Sequence, residues 1–347
     1  MRSLETLLES SVTFVKKTAI DLLMSLTKHQ ELRRAIVRTL INKFGDQDLK
    51  VVNLVCRELK QEFHQDIESS AVLLEEAQSF LMRAHLASKS QFYVINFLNS
   101  LNMKMLNEKG LSKLFELFYH FFEKMVGQQS NSLEDLSSRL FLNSIKGLNR
   151  IFGFIKSSNT HTRRLVEEKS EAVYRIVHST TNTKAKIQLY LFLFQCHSHL
   201  HGALPDRYYR SLYDFLSHDD VLHCSLSELF FDLLLVSMKE DGNLNRLLAF
   251  LKRLLQLCSM AQANFIATTL ILVGNLVAHH EALPVVLKQA ENCMKEEGEQ
   301  AKYDMNKREP IYAGAENTLL WELSLLASHY HPTVRKFATQ IINGQPI

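Results

Sequence analysis

The stretch QELRRAIVRTLINKFGDQDLKVVNLVCRELKQE, residues 30–62, contains the pattern that decides the fold. Ile36, Leu40 and Ile41, followed by Phe44, recur at the spacing of one helical face. Gly45 and Asp46 then stop that stripe, and Val51, Val52, Val55 and Leu59 begin a second one. Two amphipathic helices joined by a tight turn form the unit of a HEAT-type hairpin.

The same pattern repeats in both directions. It predicts helices over 67–85, 89–103, 108–127, 132–156, 163–179, 184–200, 206–217, 225–240, 244–259 and 261–290. Breaks are expected at Gly45-Asp46, Ser130-Asn131, Ser157 to Asn159, His201-Gly202, Asp241-Gly242 and Lys295 to Pro310. Only 5 prolines occur in 347 residues, and the first is Pro205, so nothing upstream of it forbids helix. No strand-like alternation persists at convincing length. The expected fold class is all-α, a HEAT-like or armadillo-like helical-repeat solenoid. Its expected divisions are a solenoid over 1–292, a charged strap over 293–310, and a C-terminal helix pair over 311–347 packing on the solenoid. Phe115, Phe118, Phe121 and Phe122, and again Phe141, Phe152 and Phe154, read as inter-helix packing.

Composition narrows the function classes. Hydrophobic residues at 46% and charged residues at 22% describe a folded chain. Cys56, Cys196, Cys224, Cys258 and Cys293 are odd in number and widely spaced, which argues against a disulfide framework. No apolar run reaches the roughly 18 residues needed to cross a bilayer, and the N-terminal residues lack a signal-peptide layout. A cytosolic or nuclear compartment is expected, with no membrane and no small-molecule substrate. Glycine-rich phosphate loops, nucleophile elbows and paired-cysteine zinc spacings are absent, so neither an enzyme nor a cofactor is expected. Cys196, His197, His199 and His201 are the nearest approach to a metal site. Their plainer reading is cationic groups near a helix C-terminus that Gly202 closes.

Charge is uneven along the chain. Residues 139–210 hold twelve Lys or Arg against four acids, while residues 211–300 hold six against twelve. A basic zone attracts phosphate, which makes Arg139, Arg150, Arg163, Arg164, Lys184 and Lys186 candidates for sequence-independent contact with RNA backbone. The competing reading is a solvated helix face. Lys28, Arg33, Arg34, Arg38 and Lys43 form a smaller cluster on the first hairpin.

The most specific stretch is Lys307 to Ala338, KREPIYAGAENTLLWELSLLASHYHPTVRKFA. Leu319, Leu323, Leu326 and Tyr330 form an apolar stripe with Trp321 on its flank, read as packing, and His331-Pro332 ends that helix. Val334, Phe337, Ala338 and Ile341 face back in the next one. The combination of Leu-Trp-Glu-Leu with a later His-Tyr-His-Pro closely resembles the signature of the CCAAT-binding-factor family of nucleolar complex proteins. Arg308, Pro310, Ala315, Glu316, Trp321, Glu322, His331 and Pro332 carry it, and are expected either to pack or to meet a partner. Upstream, Gln91 to Leu98, Gly147 to Arg150, Tyr174 to His178 and Asp206 to Tyr213 look like family positions too.

The resemblance implies a non-catalytic scaffold that pairs with a second nucleolar complex protein and accompanies early precursors of the large ribosomal subunit, in the nucleolus or nucleus. Binding to precursor ribosomal RNA would fall on the basic zone. Family members carry longer charged extensions, whose functions are not expected of a chain ending at Ile347. The alternative is a transport-type or regulatory adaptor that grips protein cargo without RNA. No helix-turn-helix or basic-zipper pattern supports a transcription-factor role.

Overall fold

The computed structural model describes residues 2–63, 67–128, 135–154, 160–280, 282–283, 303–318 and 320–345. Helices α1 (Arg2–Leu8), α2 (Thr13–Leu26), α3 (Gln30–Asn42), α4 (Leu49–Phe63), α5 (Ile67–Leu81), α6 (Ser88–Ser100), α7 (Glu108–Gln128) and α8 (Asp135–Phe152) are followed by α9 (Thr160–Ser179). Then come α10 (Thr183–His201), α11 (Asp206–Phe215), α12 (Ser227–Lys239), α13 (Leu244–Cys258), α14 (Ala263–His279), α15 (Trp321–Leu326) and α16 (Pro332–Ile342). No strand occurs among the described residues, and the fold is the all-α helical-repeat class that the periodicity predicts. The chain divides into two compact units, Met1–Glu171 and Ala172–Ile347.

In the first unit helices pack on their neighbours and on the helix two along: α2 on α3 and α4, α3 on α4 and α5. This second-neighbour packing turns a string of hairpins into a stack. The predicted hairpin at 30–62 is α3, a single 3₁₀ turn at Lys43–Gly45, and α4. Its stripe residues Ile36, Leu40, Ile41, Phe44, Val51, Val52, Val55 and Leu59 are all buried. Two N-terminal helices, α1 and α2, fall outside the predicted set. The α5 helix stops at Leu81, short of the expected 85, and the 261–290 helix is regular only to His279; residues 284–302 lie outside the described set, as do the breaks at 130–131 and 157–159.

Aromatic packing makes the centre of this unit. Phe115, Phe118, Phe121 and Phe122 on α7 and Phe141 and Phe152 on α8 are buried. Phe122 stacks on Phe141 with centroids 5.5 Å apart, and Phe115 meets Phe152 edge-on at 6.1 Å. Helix α8 lies against both α6 and α7. The close approach depends on Gly147, where an added Cβ would sit 2.6 Å from Phe118 Cζ and 2.7 Å from Asn99 Oδ1. Asn99 is itself held in place, its Nδ2 donating to the Asn143 carbonyl at 2.7 Å.

The small basic cluster on the first hairpin is largely engaged inside the unit. The Arg34 Nε and Arg38 Nε donate to the two oxygens of Glu76 at 2.7 and 2.8 Å, and Lys43 Nζ donates to the Leu8 carbonyl at 2.8 Å. Glu76 is 3% exposed. Its hydrogen bond with Arg38, assisted by Arg34 and opposed by burial, holds its carboxyl below the usual glutamate value of 4.5.

Two outcomes follow from this packing. Replacing a helical glycine with alanine ordinarily gains about 1 kcal/mol of helix propensity, whereas forcing a methyl into a filled core costs roughly 1–3 kcal/mol. The fixed Phe118 ring makes the second effect win, so Gly147→Ala lowers the thermal midpoint. Gly153→Ala, with nothing nearer than 3.8 Å, is tolerated and serves as the control. The second outcome concerns pH. Because the folded pKa of Glu76 is depressed, its contribution is present above the ordinary value and is lost as pH falls through the folded value. Glu76→Gln therefore destabilises the chain at pH 7 by roughly 1–3 kcal/mol. That gap closes in urea titrations run progressively below pH 4.5.

Candidate functional site

In the second unit α13 is buried almost all round. Leu247, Leu248, Ala249, Phe250, Leu251, Leu254 and Leu255 are buried, and so are its three cations, Arg246, Lys252 and Arg253. Such a helix must be supplied with partners for every charge. The Arg246 guanidinium binds Asp241 through Nε at 2.6 Å and through a second nitrogen at 2.8 Å, reaches Asp206 at 2.6 Å, and lies 4.1 Å from the Tyr209 ring centre. Burial works to lower its pKa, but Asp241 and Asp206 outweigh that and raise it. Arg253 donates to the Tyr213 carbonyl at 2.7 Å, to Ser217 Oγ at 3.1 Å and to the Met305 carbonyl, with its guanidinium over the Tyr213 ring.

Lys252 takes its carboxylate from the C-terminal signature. Its Nζ donates to Glu322 Oε2 at 2.9 Å, with both side chains 5% exposed or less. Glu322, Leu323 and Leu326 are the inner residues of α15, which packs on α13 and α16. Pro310, Ala313 and Ala315, in two 3₁₀ turns and the link between them, pack on the same helix. Gly314 occupies the left-handed region at φ 71°, which reverses the chain there. Arg210 on α11 pairs with Glu309. The signature is thus anchored by Pro310, Ala315 and Glu322.

Arg308 and Glu316 are exposed, and Pro332 occupies the first turn of α16 behind the half-buried His331. Val334, Ala338 and Ile341 of α16 are buried as expected. Trp321 corrects the packing expectation. It is 52% exposed and its i+4 neighbour Leu325 is 61% exposed, with the Lys252 ammonium 5.3 Å from the indole centre. Tyr330, read as the end of the inner stripe, is 80% exposed. Both deviations follow from α15 being only six residues long. With Glu322 turned inward, positions 321 and 325 face out and the helix ends before Tyr330. Leu319 lies outside the described residues.

The stretch Asp206 to Tyr213 forms the adjoining seam. Tyr208 OH lies 2.9 Å from Ser237 Oγ, Tyr209 OH donates to the Ser237 carbonyl at 3.0 Å, and Tyr190 OH donates to the Ser211 carbonyl at 2.8 Å. Burial pushes the Tyr208 and Tyr190 hydroxyls well up, so they act as neutral donors.

Of the RNA candidates, Arg139 and Arg150 on α8 are exposed in the first unit, with an Arg150 guanidinium nitrogen donating to the Leu101 carbonyl at 3.2 Å. In the second unit Lys184 is exposed, while Lys186 is half-buried with its ammonium 5.7 Å from the Phe215 ring centre. The side chains of Arg163 and Arg164, on α9, lie outside the described set.

Among the described residues no cluster of three or more His, Cys, Asp or Glu is placed to hold a metal. Cys196 is buried with its thiol pushed well up by desolvation, and His197 Nε2 lies 2.9 Å from Tyr174 OH. Burial also raises Cys258 to about 12 and Cys56 to about 11, which keeps those thiols protonated and unreactive. Gly202 closes α10 in the left-handed conformation at φ 69°. No helix among the described residues is long and apolar enough to cross a membrane.

The sequence reading missed the three buried cations of α13. No local signal marks them. Asn245, Arg246, Lys252, Arg253 and Gln256 recur at helical spacing along one stripe, the pattern of an ordinary solvated face on an amphipathic helix.

Residues 186–338 match the CBF/Mak21 family model. Human CCAAT/enhancer-binding protein zeta is 25% identical over 402 residues, covering 99% of this chain and 37% of that protein. Ribosome biogenesis protein NOC1 of Chaetomium thermophilum is 24% identical, covering 99% and 38% respectively. Nucleolar complex protein 1 of Drosophila melanogaster is 23% identical, covering 91% and 32%. The chain thus spans less than two fifths of the length of these relatives. With the anchoring residues Pro310, Ala315 and Glu322 inside the matched region, the chain carries a CBF/Mak21 family domain at residues 186–338.

Proposed function

We propose that the chain is a non-catalytic scaffold in the nucleolar assembly of the large ribosomal subunit, binding precursor ribosomal RNA and a second nucleolar complex protein. One observation carries the reading. The similarity to proteins named for ribosome biogenesis and for a nucleolar complex runs over nearly the whole chain, and the family match covers the α13 core and the signature anchored to it. A nucleolar or nuclear location fits the same names.

The architecture suits this role. A helical stack offers long surfaces on which macromolecular partners can lie. Phosphate binding falls to Arg139, Arg150, Arg163, Arg164, Lys184 and Lys186, which the sequence groups in its basic segment.

Affinity purification of the tagged chain from nuclear extract is expected to recover large-subunit precursor RNA together with a nucleolar complex protein. Recovery of protein cargo without RNA would establish the adaptor alternative instead. For RNA binding itself, charge reversal of Arg163, Arg164, Lys184 and Lys186 together weakens affinity for single-stranded RNA. It also reduces the slope of log K against log salt by roughly 0.7 for each phosphate that is no longer neutralised. An unchanged slope refutes the assignment of those four residues.

A further inference from the structure

On the second unit a groove of about 630 Å³ opens between the C-terminal end of α11, the C-terminal end of α13 with the two residues after it, and residues 305–308. Its lining mixes polar and apolar groups: Leu216 from the end of α11 and Leu257 from α13 lie beneath, Gln256 and Ser259 stand beside them, and two methionines, Met260 and Met305, line it. These methionines are 64% and 59% exposed. Flexible, polarizable methionines suit a surface that moulds itself to an incoming group.

One wall is built in advance. Arg253, buried against Tyr213, holds the Met305 carbonyl; Tyr303 OH donates to Gln256 Oε1 at 3.3 Å; and Asp304 N donates to the Ala313 carbonyl at 2.9 Å. Asn306 N and Lys307 N fold back on the Asp304 side chain and carbonyl. This segment therefore meets a partner already ordered, which spares an association the cost of ordering it.

The groove also carries both signs of charge. Lys307 and Arg308 lie on the pinned wall, and Asp214 and Asp219 lie on the α11 side. All four are exposed and none forms an ion pair among the described residues. A polyanion such as RNA would be attracted by one wall and repelled by the other. A purely apolar ligand would leave both charged walls unmatched. A peptide segment can satisfy all three surfaces at once.

We propose that this groove binds a short segment of a partner protein in which bulky apolar side chains are bracketed by acidic residues on one side and basic residues on the other. The acidic end sets against Lys307 and Arg308, the basic end against Asp214 and Asp219, and the apolar anchor settles between Leu257, Met260 and Met305. The inference rests on the scaffold reading, since it names the chemistry of a protein partner.

The test is fluorescence anisotropy of the full chain with fluorescein-labelled ten-residue peptides. Each carries a central Leu-Phe pair, with acidic residues before and basic residues after it, or in the reverse order. A control peptide has Ser-Ser in place of Leu-Phe. Saturable binding is expected for one charge order, with none for the control. Lys307→Glu combined with Arg308→Glu, and separately Met260→Ser, weaken binding by roughly tenfold or more. All three positions are exposed, so circular dichroism melts stay at the parental midpoint. Absence of saturable binding for both charge orders overturns the proposal, as does binding indifferent to these variants. Displacement of the peptide by a ten-nucleotide RNA overturns it in favour of nucleic acid, and self-association abolished by the same variants overturns it in favour of a second copy. Recovery of precursor RNA in the nuclear purification is independent of each result, so the groove and the scaffold role fail separately.

Discussion

Burial of three cations on one helix organises the second unit. Moving an ammonium or guanidinium out of water costs several kcal/mol even after relaxation, so Arg246, Lys252 and Arg253 admit only structures that bring them opposite charge or carbonyl dipoles. Their partners come from well separated parts of the chain: Asp206 and the Tyr213 carbonyl from α11, the Met305 carbonyl from beyond α14, and Glu322 from α15. Hydrophobic packing alone tolerates sliding by a residue or by half a turn. A buried carboxylate that must reach one ammonium does not. The Lys252–Glu322 pair is accordingly better understood as fixing where the signature lies than as a net source of stability, since an apolar pair of the same volume would cost less to bury.

The first unit meets the same demand for uniqueness by other means. Its centre is almost wholly aromatic and aliphatic, and the close approach of α8 to α6 and α7 depends on a missing side chain at Gly147 with the Phe118 ring in the space. Its principal charge network, Glu76 with Arg34 and Arg38, has a buried carboxylate and two arginines that are more than half exposed. Water screens the outer ends of those arginines, so this network tunes stability with pH without dictating the packing.

The sequence displays the helices, the turn at Gly45, the cap at Gly202 and the aromatic core plainly, because each rests on local periodicity or on one residue's backbone freedom. The signature is equally visible as a pattern, but its orientation is not. Trp321 is the largest apolar side chain in its stretch and reads as core, yet the inward position belongs to its charged neighbour Glu322. Nothing local favours that choice. It is imposed by Lys252, 70 residues upstream. The engagement of Arg34 and Arg38 by Glu76 is hidden for the same reason, its partners lying 42 and 38 residues apart. Ionic pairing across such distances leaves no periodic trace.

The buried pairs also alter what the charge pattern means. A count along the sequence treats every ionic group as facing solvent, and on that basis residues 211–300 hold six bases against twelve acids. Three of those six bases are inside α13, and of the acids among the described residues only Asp241 is spent within the same segment on pairing with them. Asp214, Asp219, Asp220, Glu228, Asp232 and Glu240 remain exposed. Over the described residues 211–280 the surface is therefore more acidic than the composition, and the acids from α11 to α12 discourage phosphate there more strongly than the raw count implies. A groove edged by Asp214 and Asp219 on such a surface gains its exposed positive charge from Lys307 and Arg308, beside the buried Arg253. Helix α13 serves both features: Lys252 takes Glu322 inside, and the adjacent Arg253 pins the Met305 carbonyl and so sets the basic wall beside the acidic one.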